Sequence, residues 1–473
     1  MSTGRRTAIL VALAAVALAV LVRLPFFGAP LTADEGGYAE AARLWDRGAT
    51  LYRDVWVDRP QGLLLVFRGV LELGSSTDVL RGVAAAVGAL SVLATMLLAF
   101  RLTGQRTVAF ASGLLIATAG ASPFLESFTL AGELLASFAA ILSLLAFTAY
   151  LRSRSLAWLA VAGLASGCAV MIKQSGFDAA LAIVAYVAWT ERRRALAPLA
   201  VFVAAAAAPV LAGLLSAFSL HSWWFAVVGY RGSGDSLVTG SVVHRLDLLV
   251  DSLPGAAKGL GLLLLLAVLG WRRSPLLVKF WLGAASLGVL GGGNFHFHYY
   301  LQLVPPLSIL AGGGVDRLIE GRMRLAAAVL AAVAVATAAF TVPLWFESPR
   351  AQAEEIWPKD PHLQHDAAVV RYIDAHTRPG QKALVLWAAA NVYYLADRAP
   401  AIPYMWRRNL ETIPGARGRL ESALARRVPA VVALVQPLES LEGSGRTAAI
   451  LARNYRRAGT VDGVPVYQPR RSS

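Results

Sequence analysis

The sequence predicts a polytopic α-helical membrane protein that ends in a small α/β domain. Of its 473 residues, 57% are hydrophobic and only 15% are charged. Apolar runs of roughly 18 residues or more, long enough to cross a bilayer as helices, recur through the first three quarters of the chain. The last quarter instead alternates strand-like and helix-like segments. This combination excludes a disordered chain and an ordinary soluble protein.

About eleven transmembrane helices are expected if each apolar run is one span. They fall at residues 8–27, 79–100, 108–121, 130–150, 156–172, 177–189, 195–220, 254–270, 276–293, 300–315 and 325–346. The first run follows basic residues, as a secretory signal does, but it continues through Arg23 and Pro25 without a small-residue cleavage site. We therefore expect a retained first helix. Residues 1–346 form the expected transmembrane module and residues 347–473 a separate domain.

Basic residues set the expected orientation. The net charge is +15, and most Lys and Arg residues lie in every second connection, which the positive-inside rule assigns to the cytoplasm. The basic connections carry Arg5, Arg6, Arg101, Arg106, Arg152, Arg154, Arg192, Arg193, Arg194, Arg272, Arg273, Arg317, Arg322 and Arg324. The connections at residues 28–78, 122–129, 173–176, 221–253 and 294–299, and the C-terminal domain, are then extracytoplasmic. The charge is a topology signal, so no nucleic-acid partner is expected.

The C-terminal domain has the pattern of a short parallel sheet. Residues 383–387 and 430–435 resemble strands, and residues 365–377, 391–397 and 417–427 have helical patterns. Alternation of strands and helices favours parallel pairing. Elsewhere, the single cysteine lies in an apolar run, which excludes a disulfide framework and a multi-cysteine metal site.

The connection at residues 28–78 places acidic and aromatic residues at a membrane boundary, where charges are costly and commonly functional. A helix with Tyr38 on its apolar face is expected to lie along the membrane surface, followed by a second helix at residues 63–73. Thr32 and Glu35 have the spacing of a capping box, which would explain Glu35 structurally. Asp34 is either a helix-start acid favoured by the helix dipole or a general base.

Further motifs accompany the Asp34-Glu35 pair. They are a Tyr-Arg-Asp turn at residues 52–54, an Asp-Arg-Pro element at 58–60 and a His-Tyr-Tyr sequence at 298–300. With these features the chain resembles the GT-C superfamily of membrane glycosyltransferases. It is most similar to the bacterial branch related to protein O-mannosyltransferases and to the transferases that add aminoarabinose to lipid A. Gln61, where relatives often carry a second proline, departs from the pattern and leaves the subgroup open.

The resemblance implies a sugar donor carried on polyprenyl phosphate and an acceptor hydroxyl, which meet at the extracytoplasmic face. Asp34, with Glu35 beside it, would take the acceptor proton during an inverting displacement. Arg59 could supply paired N–H donors to the donor phosphate. Asp58 corresponds to a carboxylate that binds a divalent metal ion in some relatives, so a metal cofactor stays open. Asp58 and Arg59 are also consistent with an ordinary surface turn.

The resemblance adds His298 as a residue that binds the donor phosphate or a metal ion, and Lys173 and Tyr52 are further candidates for binding the phosphate. The alternative for His298 is an interfacial polar residue, and the alternative for Lys173, at the outer end of a span, is snorkelling to the headgroups. Glu133 is expected to pair with a basic residue inside the bundle.

The expected acceptor-side or loop residues are Tyr38, Tyr230 and Arg231. The last two lie in a connection rich in glycine and serine, which either closes over substrate or is simply a flexible loop. The C-terminal domain is expected to dock on the catalytic face or to help select the acceptor, and nothing in its sequence indicates catalysis.

The sequence thus favours a multi-pass enzyme of a bacterial plasma membrane, with a cytoplasmic N-terminus and an extracytoplasmic C-terminal domain. It would move a hexose or pentose from polyprenyl phosphate to a cell-envelope glycan, lipid or protein. The alternatives are a membrane transporter and a non-catalytic cell-envelope assembly protein. A transporter would place ionisable residues within spans of paired repeats. Here no repeat is visible, and the polar residues gather in the outer connections.

Overall fold

The computed structural model describes residues 3–230, 242–321, 323–386, 389–440 and 443–470, and the part before residue 347 is helical. The first helices are α1 (Thr3–Leu21), α2 (Ala33–Asp46), α3 (Gln61–Leu71), α4 (Thr77–Thr103), α5 (Arg106–Ala119), α6 (Gly132–Ser153), α7 (Leu156–Ile172), α8 (Asp178–Glu191), α9 (Leu196–Leu215) and α10 (Leu220–Trp224). They are followed by α11 (Val242–Gly270), α12 (Leu276–Gly292), α13 (Val304–Gly321) and α14 (Arg324–Thr341).

Each predicted span overlaps one of these helices. Within the described ranges, five helices are long and apolar enough to cross a membrane, at Arg6–Phe26, Thr77–Thr103, Gly132–Ser153, Leu196–Leu215 and Val242–Arg273. Others, such as α5 and α8 with 14 residues each, are shorter than the roughly 20 residues of a typical span. The chain is therefore a multi-pass membrane protein with five clear spans and a set of shorter apolar helices.

Basic connections cluster at one end of the helical bundle. Arg152 donates from Nη2 to the backbone oxygen of Arg101 at 3.1 Å, which joins the C-terminal ends of α4 and α6. Arg154 pairs with Glu191 at 2.5 Å, so α8 ends at the same place. The basic connections that follow α4, α6 and α8 therefore meet at one end of the bundle.

Helix α2 is covered by protein on two faces, and its predicted position along the membrane surface stays a prediction. Thr32 caps it, because its Oγ1 accepts a hydrogen bond from the backbone N–H of Glu35 at 3.2 Å. All of its residues from Glu35 to Ala42 are buried, between α3 on one side and a helix of the C-terminal domain on the other. The apolar spacing that predicts an amphipathic helix marks one buried face, and the C-terminal domain covers another.

The C-terminal domain contains helices around one sheet. Its helices are α15 (Pro349–Ile356), α16 (Asp366–His376), α17 (Ala390–Ala396), α18 (Arg407–Thr412), α19 (Ala416–Ala425) and α20 (Gly445–Asn454). The four strands are β1 (Lys382–Leu386), β2 (Pro429–Leu434), β3 (Tyr455–Val461) and β4 (Val464–Pro469), in the order β1-β2-β4-β3.

The sheet is mixed rather than parallel. β1 and β2 pair in parallel as predicted, but β4 runs antiparallel to both β2 and β3. The two unpredicted strands form a hairpin whose turn is Asp462-Gly463, with φ of 46° and 84°. An Asp-Gly turn with positive φ at both residues is a strong hairpin signal, so the sequence did contain the information that the strand prediction missed.

Candidate active site

A cavity of about 340 Å³ opens at the end of the bundle away from the basic connections. It is lined by residues 32–35, Tyr38, 58–59, 126, 129–133, Tyr230, Arg245, 291–294, 296, 298 and 299 of the membrane part. The C-terminal domain contributes residues 357, 360, 362, 363, 406, 408 and 409. The membrane-part residues belong to connections predicted to be extracytoplasmic or to the adjoining helix ends. Four of the predicted outer connections, at residues 28–78, 122–129, 221–253 and 294–299, therefore meet around one cavity.

Asp34 is a partly exposed carboxylate in the cavity lining. It lies in the first turn of α2, and 42% of its side chain is exposed. One oxygen, Oδ2, accepts a hydrogen bond from the Tyr38 hydroxyl at 3.1 Å, and Oδ1 accepts one from Trp406 Nε1 at 3.1 Å. Nη2 of Arg59 lies 3.9 Å from Oδ2. An ionised carboxylate has about four acceptor positions, so Asp34 keeps the capacity to accept a further proton donor.

Glu35 also borders the cavity, but its carboxylate is engaged elsewhere. The side chain is almost fully buried, and Oε1 accepts hydrogen bonds from Arg81 Nη1 at 3.0 Å and from the Leu130 N–H at 2.8 Å. Burial raises the pKa of Glu35, and the charge of Arg81 opposes that rise. Glu35 thereby ties α2 to α4 and to the start of α6. Thr32 also contacts Glu35 as a capping box predicts, because its Oγ1 accepts from the Glu35 N–H and its backbone hydrogen-bonds the Glu35 carboxylate. The contacts therefore favour the structural role that we expected and extend it to α4 and α6.

Arg59 is a buried cation between two carboxylates. Its Nη1 pairs with Asp58 Oδ2 at 2.7 Å, and its guanidinium carbon lies 5.5 Å from the centre of the Tyr38 ring. Burial disfavours the charge, but Asp58, Tyr38 and Asp34 together raise the pKa of Arg59 above its usual value. Arg59 is therefore a permanent positive charge in the cavity wall, next to Asp34.

Tyr52 is absent from the cavity lining, although the sequence makes it a candidate for binding the phosphate. It is buried, and its hydroxyl donates a hydrogen bond to the backbone oxygen of Arg59 at 3.0 Å. Its backbone φ is 67°, which is uncommon for a residue other than glycine. The tyrosine thus fixes the chain segment that carries Arg59.

The arrangement around Asp58 does not fit a divalent metal ion. Its carboxylate is paired with Arg59, and Ca²⁺ and Mg²⁺ sites are built from several oxygen ligands. Throughout the described ranges, no group of three or more His, Cys, Asp or Glu residues is placed to hold a metal. We therefore derive no step through a metal ion.

A row of ionisable side chains forms another part of the wall and continues to Lys173 behind it. His298 Nδ1 lies 3.1 Å from Glu126 Oε2, and its Nε2 lies 3.6 Å from Glu133 Oε1. Glu133 in turn forms an ion pair with Lys173. The ammonium of Lys173 lies 4.0 Å from the centre of the Tyr299 ring. Glu133 thus has the basic partner that we expected, and Lys173 is buried rather than snorkelling.

Two titratable groups in this part have shifted pKa values. Burial would raise the pKa of Glu126, but the neighbouring His298 and His296 lower it. The surrounding protein and the charge of His298 lower the pKa of His296, although its side chain is exposed at the cavity. The ring of His296 stacks on that of His298 at 5.5 Å between centroids.

Tyr230 lies at the cavity and contacts the C-terminal domain. Its hydroxyl accepts a hydrogen bond from Thr412 Oγ1 at 3.1 Å, and its ring packs edge-on against Trp56 at 4.7 Å. Burial raises the pKa of Tyr230. The adjacent predicted residue, Arg231, lies outside the described residues.

The C-terminal domain supplies cavity residues that sequence reasoning missed. Trp357, His362, Trp406, Arg408 and Asn409 all line the cavity. The Trp-Arg-Arg-Asn sequence at residues 406–409 combines aromatic and polar groups. Nothing in this local sequence indicates that it packs against cavity residues that lie hundreds of positions earlier in the chain. The expectation that this domain docks on the cavity face agrees with its position.

Comparisons with known proteins match this architecture. Residues 58–224 match the family model described as dolichyl-phosphate-mannose-protein mannosyltransferase. The apo crystal structure of ArnT from Cupriavidus metallidurans is similar over 98% of both chains, with a TM-score of 0.63 and 15% identity. The structure of the same protein bound to undecaprenyl phosphate has a TM-score of 0.62 and 16% identity, with 100% of this chain and 99% of that chain covered.

A third solved structure is more distant. The archaeal oligosaccharyltransferase AglB from Archaeoglobus fulgidus, in complex with an inhibitory peptide and a dolichol-phosphate, has a TM-score of 0.55 and 14% identity, with 92% of this chain and 70% of that chain covered. No curated protein matches the sequence significantly. The chain as a whole therefore has an ArnT-like fold. The resemblance predicted from the sequence is confirmed, by the mannosyltransferase family match at residues 58–224 and by the ArnT-like fold of the whole chain.

Proposed function

We propose that this protein is a glycosyltransferase that moves a sugar from a polyprenyl-phosphate donor to an acceptor hydroxyl. The observation that carries the proposal is Asp34, a partly exposed carboxylate held by two hydrogen bonds in a cavity beside the permanent cation Arg59. A base and a nearby cation are the two groups that this transfer requires. The family match and the lipid phosphates named in two of the similar structures support this donor class.

In the proposed reaction the acceptor oxygen attacks the anomeric carbon, and the bond from that carbon to the phosphate oxygen breaks. Asp34 takes the acceptor proton, and the configuration is inverted. The lipid phosphate leaves with increased negative charge, which Arg59 stabilises. A positioned general base contributes typically 10²–10⁴ in rate. Glu35 and Tyr52 support α2 and Arg59 through the contacts described above.

We further propose that the chain crosses the bacterial plasma membrane about eleven times, with the shorter apolar helices completing the set. The cavity and the C-terminal domain then face the extracytoplasmic side, and the donor's lipid tail lies in the bilayer. The C-terminal domain covers the cavity end. The sugar and the acceptor, which is a cell-envelope glycan, lipid or protein, are to be identified by assay.

The test uses purified protein and a panel of radiolabelled polyprenyl-phosphate sugars, each with and without chelator. Wild-type protein is expected to transfer one of them, and Asp34→Asn to lose at least about 100-fold in kcat. Asp46→Asn is the matched control, because Asp46 is an exposed carboxylate on the same helix that pairs with Arg68 outside the cavity. Wild-type rates in Asp34→Asn, or no transfer from any donor, would contradict the proposal.

A further inference from the structure

The hydrogen bond from Trp406 to Asp34 joins the C-terminal domain to the carboxylate at the centre of the cavity. Trp406 precedes α18 and donates from Nε1 to Asp34 Oδ1 at 3.1 Å across 372 positions in the sequence. Tyr38, one turn along α2, donates to the other oxygen. Each carboxylate oxygen therefore has one donor, and the two donors come from different parts of the chain.

Trp406 is held against α2 by close packing. Its ring lies over Gly37, where a Cβ atom would overlap the ring and would meet Ala390 Cβ at 2.8 Å. The Trp406 and Tyr38 ring centroids are 5.7 Å apart. The indole therefore packs against α2 and against the Tyr38 ring, which favours a defined position for both donors.

The segment before Trp406 is also fastened to the membrane part. The backbone N–H of Trp56 donates to the oxygen of Pro403 at 3.0 Å, and Trp56 forms a parallel bridge with Tyr404. This contact lies close in sequence to Asp58 and Arg59. The residues that carry the cation and the residue that holds the carboxylate are therefore docked on each other.

We propose that Trp406 is a positioning residue for the reaction, and that the C-terminal domain thereby completes the active site. The inference rests on the proposed function, in which Asp34 is the general base. A carboxylate rotates easily about its last side-chain torsion, which is broad rather than three-fold. Donors on both oxygens restrict that rotation and direct the remaining lone pairs. Small misplacements of reacting groups can cost 10²-fold in rate.

The test is Trp406→Phe, which removes the N–H and keeps an aromatic ring, with Trp406→Tyr as a second variant. The expected result is a kcat at least about tenfold lower with donor KM within about twofold, because positioning acts on the chemical step rather than on donor binding. Asp34→Asn combined with Trp406→Phe should be no slower than Asp34→Asn alone, because the tryptophan acts through that carboxylate.

Trp281→Phe is the matched control. Trp281 is buried and donates from Nε1 to Asp178 Oδ2 at 2.9 Å, so it makes the same kind of bond outside the cavity lining. It is expected to keep wild-type kcat even if its thermal stability falls. Folding of every variant is checked by size-exclusion chromatography and thermal unfolding.

The outcomes separate the two proposals. Wild-type kcat in folded Trp406→Phe and Trp406→Tyr, or a raised donor KM with unchanged kcat, would overturn the positioning role while the general base stands. An active Asp34→Asn would instead overturn the proposed function. If neither Trp406 variant folds while Trp281→Phe does, the role of Trp406 is structural and the inference is wrong.

Discussion

Asp34 and Glu35 are adjacent residues with opposite environments. Successive helical residues point about 100° apart, so one of the pair turns toward the cavity and the other toward the bundle. Asp34 has 42% of its side chain exposed, whereas Glu35 is paired with Arg81 and has 1% exposed. The sequence identifies the pair as important, but it does not show which member can reach a substrate, because that depends on where Arg81 lies.

For Lys173, too, the sequence does not show whether the side chain is buried, and the structure places it in an ion pair with Glu133. This ion pair gives a prediction. Lys173→Met removes the ammonium that pairs with buried Glu133 and leaves only the more distant His298 Nε2 at 3.6 Å, so we expect a loss of up to about 3–5 kcal/mol in the free energy of unfolding. Thermal unfolding in detergent measures this, and adding Glu133→Gln should restore much of the loss.

Lys258→Met is the control for that prediction. Lys258 pairs with Glu355 at 3.1 Å on a more exposed surface, where such pairs contribute at most about 1 kcal/mol. If Lys173→Met instead left stability unchanged and raised only the donor KM, the phosphate-binding interpretation of Lys173 would be preferred.

Among the helices, α2 packs closely against the C-terminal domain at two glycines, Gly36 and Gly37. A Cβ at Gly36 would approach the Cα of Asn391 in α17 to 2.5 Å, and Gly37 lies under Trp406. A glycine in a helix normally costs about 1 kcal/mol relative to alanine. The helix accepts that cost because only glycine permits α17 to pack so closely.

Gly36→Ala is therefore expected to destabilise the protein by roughly 1–3 kcal/mol, the range for overpacking, despite the better helix propensity of alanine. The matched control is Gly69→Ala in α3, where a Cβ would meet nothing within 4 Å. This control is expected to be neutral or stabilising. Thermal unfolding measures the stability of both variants. Equal stability changes in Gly36→Ala and Gly69→Ala would contradict the packing argument.

In the whole molecule, the C-terminal domain packs on α2 and thereby covers the end of the bundle that contains the cavity. Arg43 bonds Glu40 within α2, donates to the Tyr393 oxygen at 3.2 Å and pairs with Asp397 at 2.9 Å. Tyr394 donates to the Ser75 oxygen at 2.7 Å. These contacts combine the membrane part and the C-terminal domain into one site.

The buried Glu40 makes this junction sensitive to pH. Burial outweighs the attraction of Arg43 and raises the pKa of Glu40 from 4.5 to about 7. Because the folded pKa is the higher one, its contribution to stability is present below about pH 4.5 and is lost as the pH rises through 7. The contribution is on the order of 3 kcal/mol.

Glu40→Gln should remove this pH dependence. Relative to the variant, the wild-type melting temperature is expected to fall between pH 5 and pH 8, whereas the exposed Glu72→Gln should follow the wild type. Parallel melting curves for wild type and Glu40→Gln across this range would show that Glu40 does not titrate there.

The orientation of the two ends can be tested with cysteines. In a Cys168→Ala background, Lys359→Cys in the C-terminal domain should react with a membrane-impermeant thiol reagent in intact cells. Ser153→Cys, at the basic end of α6, should react only after permeabilisation. Both positions are exposed on the protein, so a difference in labelling reports the side of the membrane and not burial of the residue. The reverse pattern would place the cavity in the cytoplasm.

The sequence by itself determined where the apolar helices lie, which connections share an end, and the motifs that contain Asp34 and Arg59. These follow from periodicity, hydropathy and charge over short stretches of chain, which local residues fix. Only the tertiary structure decided that Glu35 is bound to Arg81, that α2 is buried, and that Trp406 holds Asp34. Each of these depends on contacts between distant segments, which form only when the helices and the C-terminal domain pack together.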